Sequence, residues 1–284
     1  MTTVRRHEFP LGNIGELMEL TEPRFWKEVG TLQNQPLWFS NLLLKAVNRI
    51  GLYCSITPDA STLESWEATV TAMQLGSALF VSAQAETGTF EYRINHDIRN
   101  IRYGAGPRAY AGHWVTAFYL AAVCREPKRM WQLSQVPVSL LRQAEGAYDR
   151  YMYDWVEALQ AYRLEQGDFG DKLVTAMENT DPARLRHAPR ETVLKINYPP
   201  MNLLAQIAKR DESAFNTELA QALEWHKDYW TSSQDRSRDN EGVIALGPLA
   251  MACLAKDAGF TITVESEYLP SALLDGDWLN EFPT

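Results

Sequence analysis

The sequence predicts a mainly α protein: a single domain over residues 1–284, built of packed helical hairpins and carrying one β-hairpin at about 88–103. Three observations predict it. Apolar residues recur at helical spacing over most of the chain. Strand-like alternation is confined to one short region. No linker, low-complexity tract or fixed-period repeat divides the 284 residues. Hydrophobic residues make up 45% of them, enough for a packed core and too many for a disordered chain.

Taken in order, segments near 14–30 and 36–53 read as helices, the first interrupted by Pro23 and Gly30. Ser61-Thr62-Leu63-Glu64 has the form of a capping box with Ser61 as cap. It opens a long amphipathic helix over 62–85, with Leu63, Trp66, Val70, Met73 and Leu79 or Phe80 on one stripe and Gly88 marking its end. Phe90, Tyr92 and Ile94 alternate with Glu91 and Arg93, and Asn95-His96-Asp97 turns the chain into Ile98–Tyr103. His113–Arg125 is almost wholly apolar and stops before Pro127, which predicts a buried helix. Tyr148–Glu165 and Glu212–Trp230 follow as helices, the latter with Phe215, Leu219, Leu223 and His226 along one side. Pro199-Pro200 predicts a break between two helical segments, and Pro248 a kink inside a buried helix over Gly242–Asp257. Thr261–Glu265 reads as a short extended piece.

The net charge is -9, from 36 acidic and 27 basic side chains. Six acids and no Lys or Arg lie between Asp257 and Thr284, and a second base-free stretch runs from Ile50 to Tyr92. Such a balance argues against nucleic acid and against anionic membranes as partners, because both need a basic footprint. It fits a basic protein partner, contacted by Glu265, Glu267, Asp275 and Asp277, or simply a solvated face that maintains solubility. Cys54, Cys124 and Cys253 are odd in number, far apart and set in apolar surroundings, as reduced core thiols in a cytoplasm would be. No apolar stretch follows the basic N-terminal residues, so no signal peptide is predicted, and no apolar run reaches the ~20 residues of a membrane span.

Familiar catalytic arrangements are missing: no glycine-rich phosphate loop, nucleophile elbow, paired CxxC, HExxH or DDxxD is present. Neither a metal nor a cofactor is therefore expected. Weaker constellations remain. Glu64 and Glu67, at i and i+3 around Trp66, can act as a carboxylate pair with split pKa values, or merely cap the helix and complement its dipole. His113, beside Trp114 at the mouth of a buried helix, suits a general base or a hydrogen-bonded boundary residue. Asp154 shares a face with Tyr151 and Trp155 and is either a buried carboxylate in an aromatic pocket or the i+4 partner of Arg150. Arg93, Arg99 and Arg102 on the hairpin, with His226, form a possible anion site; the alternative is pairing with the protein's own acids.

Several blocks together carry a family resemblance. They are His7-Glu8-Phe9-Pro10; Leu63 to Phe80, with Trp66-Glu67 and Met73-Gln74-Leu75-Gly76; and Trp114-Val115-Thr116-Ala117-Phe118. Tyr198-Pro199-Pro200-Met201-Asn202-Leu203, Trp225-His226-Lys227-Asp228-Tyr229-Trp230, Ala245-Leu246-Gly247-Pro248 and Val264-Glu265-Ser266-Glu267-Tyr268-Leu269-Pro270 complete the set. In order and spacing the chain resembles the immunity 49 family, common in actinomycetes. The resemblance implies a mostly helical, cytosolic protein that neutralises a toxin, often a nuclease, of a bacterial polymorphic toxin system. It supplies no catalytic residues.

Two expectations for function follow. The first is a toxin-neutralising immunity-type protein that masks a basic, nuclease-like toxin. The second is a metal-free enzyme of specialised metabolism: an acid–base cyclisation or elimination losing sulfate or phosphate, with a small-molecule substrate. There Glu64, Glu67, His113 or Asp154 would act as base, and Arg93, Arg99, Arg102 or His226 would receive the anion. Trp66, Trp114, Tyr151 and Trp155 would line the pocket. A subunit-like scaffold of another enzyme would need the same complementary surface as the first.

Overall fold

The chain opens with β1 (Thr2–Thr3), α1 (Ile14–Gly30) and α2 (Phe39–Ile56); this computed structural model describes every residue except 1, 11, 13, 280, 282 and 283. α1 buries only Ile14, Phe25 and Val29 and so lies on the surface, whereas α2 sends Phe39, Leu42, Leu43, Ala46 and Ile50 into the core. Arg49 fastens α2 to α1. Its Nε and Nη2 donate to the Glu22 carboxylate at 2.7 and 3.0 Å, and its guanidinium lies 4.3 Å from the centre of the Phe25 ring.

α3 (Leu63–Ser82) is the central helix. The sequence suggests an amphipathic helix, but every residue from 68 to 80 is buried, because α2, the hairpin and the helix that follows it cover α3 on several sides. Its polar residues are accommodated locally: Thr69 Oγ1 donates to the Ser65 carbonyl at 2.8 Å and Ser77 Oγ to that of Met73 at 2.9 Å. The cap is Thr62, whose Oγ1 accepts from Ser65 N at 3.4 Å; Ser61 instead donates its N–H to Asp59. The cap is thus one residue later than expected, because Asp59 draws Ser61 into its own turn, and with Ser65 at the third helical position the expected capping box with Glu64 does not form.

The hairpin, β2 (Thr89–Ile94) and β3 (Asp97–Arg102), forms as the alternation predicts, antiparallel with Thr89 opposite Arg102 and Ile94 opposite Asp97. Asn95, with φ 57°, takes the left-handed turn position that Asn tolerates. α4 (Ala111–Val123) is the predicted apolar helix and crosses α3 where Gly76 faces Ala117: a Cβ at Gly76 would lie 2.9 Å from Ala117 Cβ. α5 (Pro127–Ser134) and α6 (Val138–Gln143) lead to α7 (Arg150–Arg163), which pairs with α8 (Phe169–Glu178).

At Pro199-Pro200 the outcome differs from the expected break. α9 (Arg190–Thr192) runs through a π turn, Val193–Asn197, directly into α10 (Tyr198–Lys209). The prolines have no N–H for the carbonyls of residues 195 and 196, and the preceding turn widens to i→i+5. The helix bulges instead of ending. α11 (Glu212–Trp230) is capped by Asp211, whose Oδ1 accepts from Ala214 N at 2.9 Å.

α12 (Leu246–Asp257) starts later than predicted, after a 3₁₀ turn at Asn240–Val243. Pro248 therefore falls in its first turn, where no intrahelical acceptor awaits its nitrogen, and no kink is needed. β4 (Val264–Glu265) pairs in parallel with β1, Thr2 opposite Val264, a partner the sequence does not announce. α13 (Ser271–Asp275) is tied down by Arg125, whose Nη1 and Nη2 donate to the carbonyls of Leu273 and Leu274, each at 2.7 Å.

One continuous apolar core runs from Val4 to Leu274 and takes in all three cysteines. The fold is mainly α with two two-stranded sheets among the described residues. No described helix is long and apolar enough to cross a membrane.

Candidate functional site

Two features stand out, a partly open cavity and an acidic groove. The cavity, about 410 Å³, lies among α2, α4, α7, the π turn, α11 and α12. Such a volume suits a small molecule. The π turn is what opens it, by carrying Lys195, Ile196 and Asn197 into the wall. Glycines let the other walls approach: a Cβ at Gly112 would lie 2.7 Å from Tyr148 Oη, and one at Gly247 would lie 2.7 Å from Pro200 Cγ.

The aromatic side is made by Tyr119, Tyr148, Trp155 and Trp230. Trp155 Nε1 donates to Tyr119 Oη at 2.9 Å, which fixes both rings, and burial holds the Tyr119 phenol far above its usual pKa. Asn197, a lining residue, donates from Nδ2 to Tyr151 Oη at 2.8 Å, which leaves its amide oxygen as an uncommitted acceptor among the described residues.

The two histidines of the lining differ. His226 is buried and its Nε2 donates to the Gly242 carbonyl at 3.0 Å; burial lowers its pKa to about 4, so it is neutral near neutral pH. His113 is 9% exposed, and its Nδ1 is buried with no hydrogen-bond partner among the described residues. Burial lowers its pKa as well. Trp230 Nε1 is likewise buried and unpartnered. Polar atoms left in this state cost free energy, and in folded proteins they commonly mark a place for a bound group or water.

Glu241 is exposed at the cavity mouth, yet the surrounding walls and then Asp239 raise its pKa. Lys195 does not answer it: its Nζ lies 2.8 Å from Glu191 and 2.6 Å from Asp228, while Arg236 Nη1 lies 2.8 Å from the second Glu191 oxygen. Those two cations balance those two acids.

The groove lies on another face, between residues 3–5, 56–59 and 262–275. Its carboxylates are Asp59, Glu265, Glu267 and Asp275, its cation is Arg5, and its floor is apolar, with Ile56, Val264 and Leu274. Glu267 is 3.8 Å from Arg6 Nε and Asp275 pairs with Lys256, whereas Glu265 has no ion pair among the described residues. Asp277 is exposed in the turn beyond α13, outside the groove lining. Among the described residues none of these acids forms an ion pair with a hairpin arginine.

Of the residues singled out in the sequence, His113, His226 and Trp155 meet in the cavity. The others lie elsewhere. Glu64 is exposed in the first turn of α3, and Glu67 bonds His96 Nε2 at 2.9 Å, pinning the hairpin turn to α3. Asp154 is buried, accepts from Asn179 Nδ2 at 2.7 Å and sits 3.5 Å from Arg150 Nε. Trp66 is buried within α3, and Trp114 donates to the Leu133 carbonyl at 3.0 Å while stacking on Phe118.

Tyr151 contributes through Asn197 and not by lining the cavity. Arg93 donates to the His96 carbonyl at 3.0 Å, Arg99 to Asp97 at 2.9 Å, and Arg102 is exposed on the far strand. Arg93 and Arg99 are thus held within the hairpin itself, although the Nε of Arg99 is buried with no hydrogen-bond partner among the described residues. Lys195, Asn197, Glu241 and Tyr119 are not legible as site residues in the sequence; Pro199-Pro200, read as a bulge instead of a break, points to Lys195 and Asn197, and no local signal points to Glu241 or Tyr119.

Among the described residues no group of three or more His, Cys, Asp or Glu could hold a metal ion. Comparison with curated proteins and with solved structures gives no match. Residues 57–273 match the family model described as immunity protein 49, a span from just after α2 into α13 that contains every cavity-forming element except α2 and most of the groove, and the chain belongs to that family.

Proposed function

We propose that this protein neutralises a cationic protein toxin by presenting the groove between β4 and α2 to it. Family membership implies a protein toxin as partner. The observation that supports a basic one is the groove itself: Arg6 and Lys256 pair with Glu267 and Asp275, but Asp59 and Glu265 have no ion pair among the described residues and stand with Arg5 around an apolar floor. Charge of one sign around a shallow apolar surface speeds encounter with an oppositely charged partner and fixes its orientation, while the floor supplies contact area. A nuclease, whose active cleft must be cationic to hold phosphate, is the toxin class that fits best.

The test is co-expression with the toxin encoded beside the gene, together with stopped-flow association of the purified pair. Glu265→Lys, which breaks no ion pair, is expected to slow association several-fold at low salt and to weaken protection of growth. The wild-type rate should fall steeply with ionic strength. A rate unaffected by both the substitution and salt would exclude this groove as the docking face.

The cavity favours a second reading, a metal-free acid–base enzyme, because it gathers His113, His226 and Trp155 around one space. In that reading the hairpin arginines take no part, since none lines the cavity.

A further inference from the structure

The cavity has a sign, and the sign selects a ligand. Its interior wall is aromatic, from Tyr119, Tyr148, Trp155 and Trp230. Its interior also holds an unmet polar demand, the buried Nδ1 of His113 and the buried Nε1 of Trp230. A neutral imidazole nitrogen presents either a lone pair or an N–H, so His113 alone accepts many partners. The mouth is more discriminating. Lys195 and Arg236 are matched by Glu191 and Asp228, which leaves Glu241 with no ion pair among the described residues and with Asp239 nearby. A carboxylate crowded by protein and lacking a counter-charge is relieved most by an ammonium group. Electron-rich ring faces close behind it favour the same charge.

We propose that the cavity behind the π turn is a binding site for a small organic cation, a primary amine on an aromatic or branched apolar body, with the ammonium at Glu241 and the body between Tyr148, Trp155 and Trp230. Asn197, whose amide N–H is committed to Tyr151, offers its carbonyl as a further acceptor for the amine. Acids are disfavoured here because Glu241 stands at the entrance. Neutral molecules of the same shape gain the apolar contact and forgo the charge. This site goes beyond the toxin-binding reading and stands without it: the groove is on a different face and shares no lining residue with the cavity.

The experiment uses three probes of nearly equal shape, phenethylamine, 2-phenylethanol and 3-phenylpropanoate, titrated into the full chain by calorimetry and by ¹H–¹⁵N NMR of the tryptophan indoles. Phenethylamine should bind about tenfold more tightly than the alcohol, a difference of about 1.4 kcal/mol, and 3-phenylpropanoate more weakly than either. Two indole signals, assigned by Trp155→Phe and Trp230→Phe, should move. Glu241→Gln removes the charge and keeps the shape of the side chain; it should bring amine and alcohol to equal affinity while the alcohol's own affinity is unchanged. Equal binding of all three probes to the wild type, binding of none, or a preference for the amine that survives Glu241→Gln would overturn the proposal. So would binding that leaves both indole signals in place.

Discussion

Asp149 offers the sharpest test of how the cavity wall is held. This buried carboxylate precedes α7 but does not cap it. It reaches across to residues 186–188 and accepts three backbone N–H groups: Arg186 at 2.7 Å, His187 at 3.1 Å and Ala188 at 2.8 Å. That loop leads through Pro189 into α9 and the π turn. Desolvation opposes the charge, but the three N–H dipoles outweigh it, and the pKa lies below the ordinary Asp value. Asp149→Ala removes three hydrogen bonds to a charged acceptor, at about 1.5 kcal/mol each or more. Water entering the vacated space recovers part of this, and about 3 kcal/mol of destabilisation is expected.

Asp149→Asn keeps the shape but turns an N–H₂ group toward donors, and about 2 kcal/mol should be lost. The sign of the pH dependence follows from the depressed pKa. The carboxylate's stabilisation is fully present above the unfolded-state pKa, about 3.9, and disappears as pH falls through the lower folded-state value. Urea denaturation of wild type and both variants at pH 7 and near pH 3 measures this. The gap between wild type and Asp149→Asn must narrow in acid. A cost under about 0.5 kcal/mol for Asp149→Ala, or a gap independent of pH, would refute the assignment of Asp149 as the clamp.

Other consequences are simpler to check. Gly51 of α2 faces the backbone of Asn240, and a Cβ there would lie 2.1 Å from the Asn240 carbonyl oxygen; Gly51→Ala should cost about 1–3 kcal/mol by thermal or urea unfolding and displace the 3₁₀ turn that bears Glu241. All three cysteines are buried, and burial raises the Cys54 and Cys253 thiols to about 12 and Cys124 further still. They should not react with Ellman's reagent in the folded protein at pH 8, and all three should react in urea. Near neutral pH the His226 C–H signals should stay fixed in NMR titration, moving only toward pH 4, while the unfolded chain titrates near the ordinary His value of about 6.5. Because that pKa is lowered on folding, stability should fall as pH drops from about 6.5 toward 4.

What the sequence discloses depends on the range of the interaction. The helix at Glu212–Trp230 and the hairpin at Thr89–Arg102 were legible because cap, period and turn lie within a few residues of each other. Pro248 and Pro199-Pro200 were legible as constraints but not as outcomes. A proline interrupts the ladder only if the helix has already begun, and where a helix begins is set by packing. For α12 the start moved to Leu246 because the preceding residues form a 3₁₀ turn against α2 and α11.

The cavity was legible in fragments. His113, His226 and Trp155 are conspicuous by type, but Lys195, Asn197 and Glu241 acquire meaning only where three distant segments converge. The two acidic stretches also separate on inspection: Asp59 joins Glu265, Glu267 and Asp275 in one groove, whereas Glu67 serves the hairpin.

The parallel pairing of β1 with β4 carries a consequence for the order of assembly. Thr2 docks beside Val264, Arg6 donates to the Cys54 carbonyl at 2.8 Å, and His7 Nδ1 lies 2.7 Å from Tyr268 Oη. On a ribosome Arg6 meets Cys54 early, but Thr2 and His7 emerge long before Val264 and Tyr268, and those contacts wait through the synthesis of some 260 residues. The groove that they help to wall can close only after Tyr268 has left the exit tunnel. Contacts of such sequence separation form late and slow folding. The face proposed to meet a toxin is thus not completed until residues 262–275 have been made, and a nascent chain that stops short of them is unarmed.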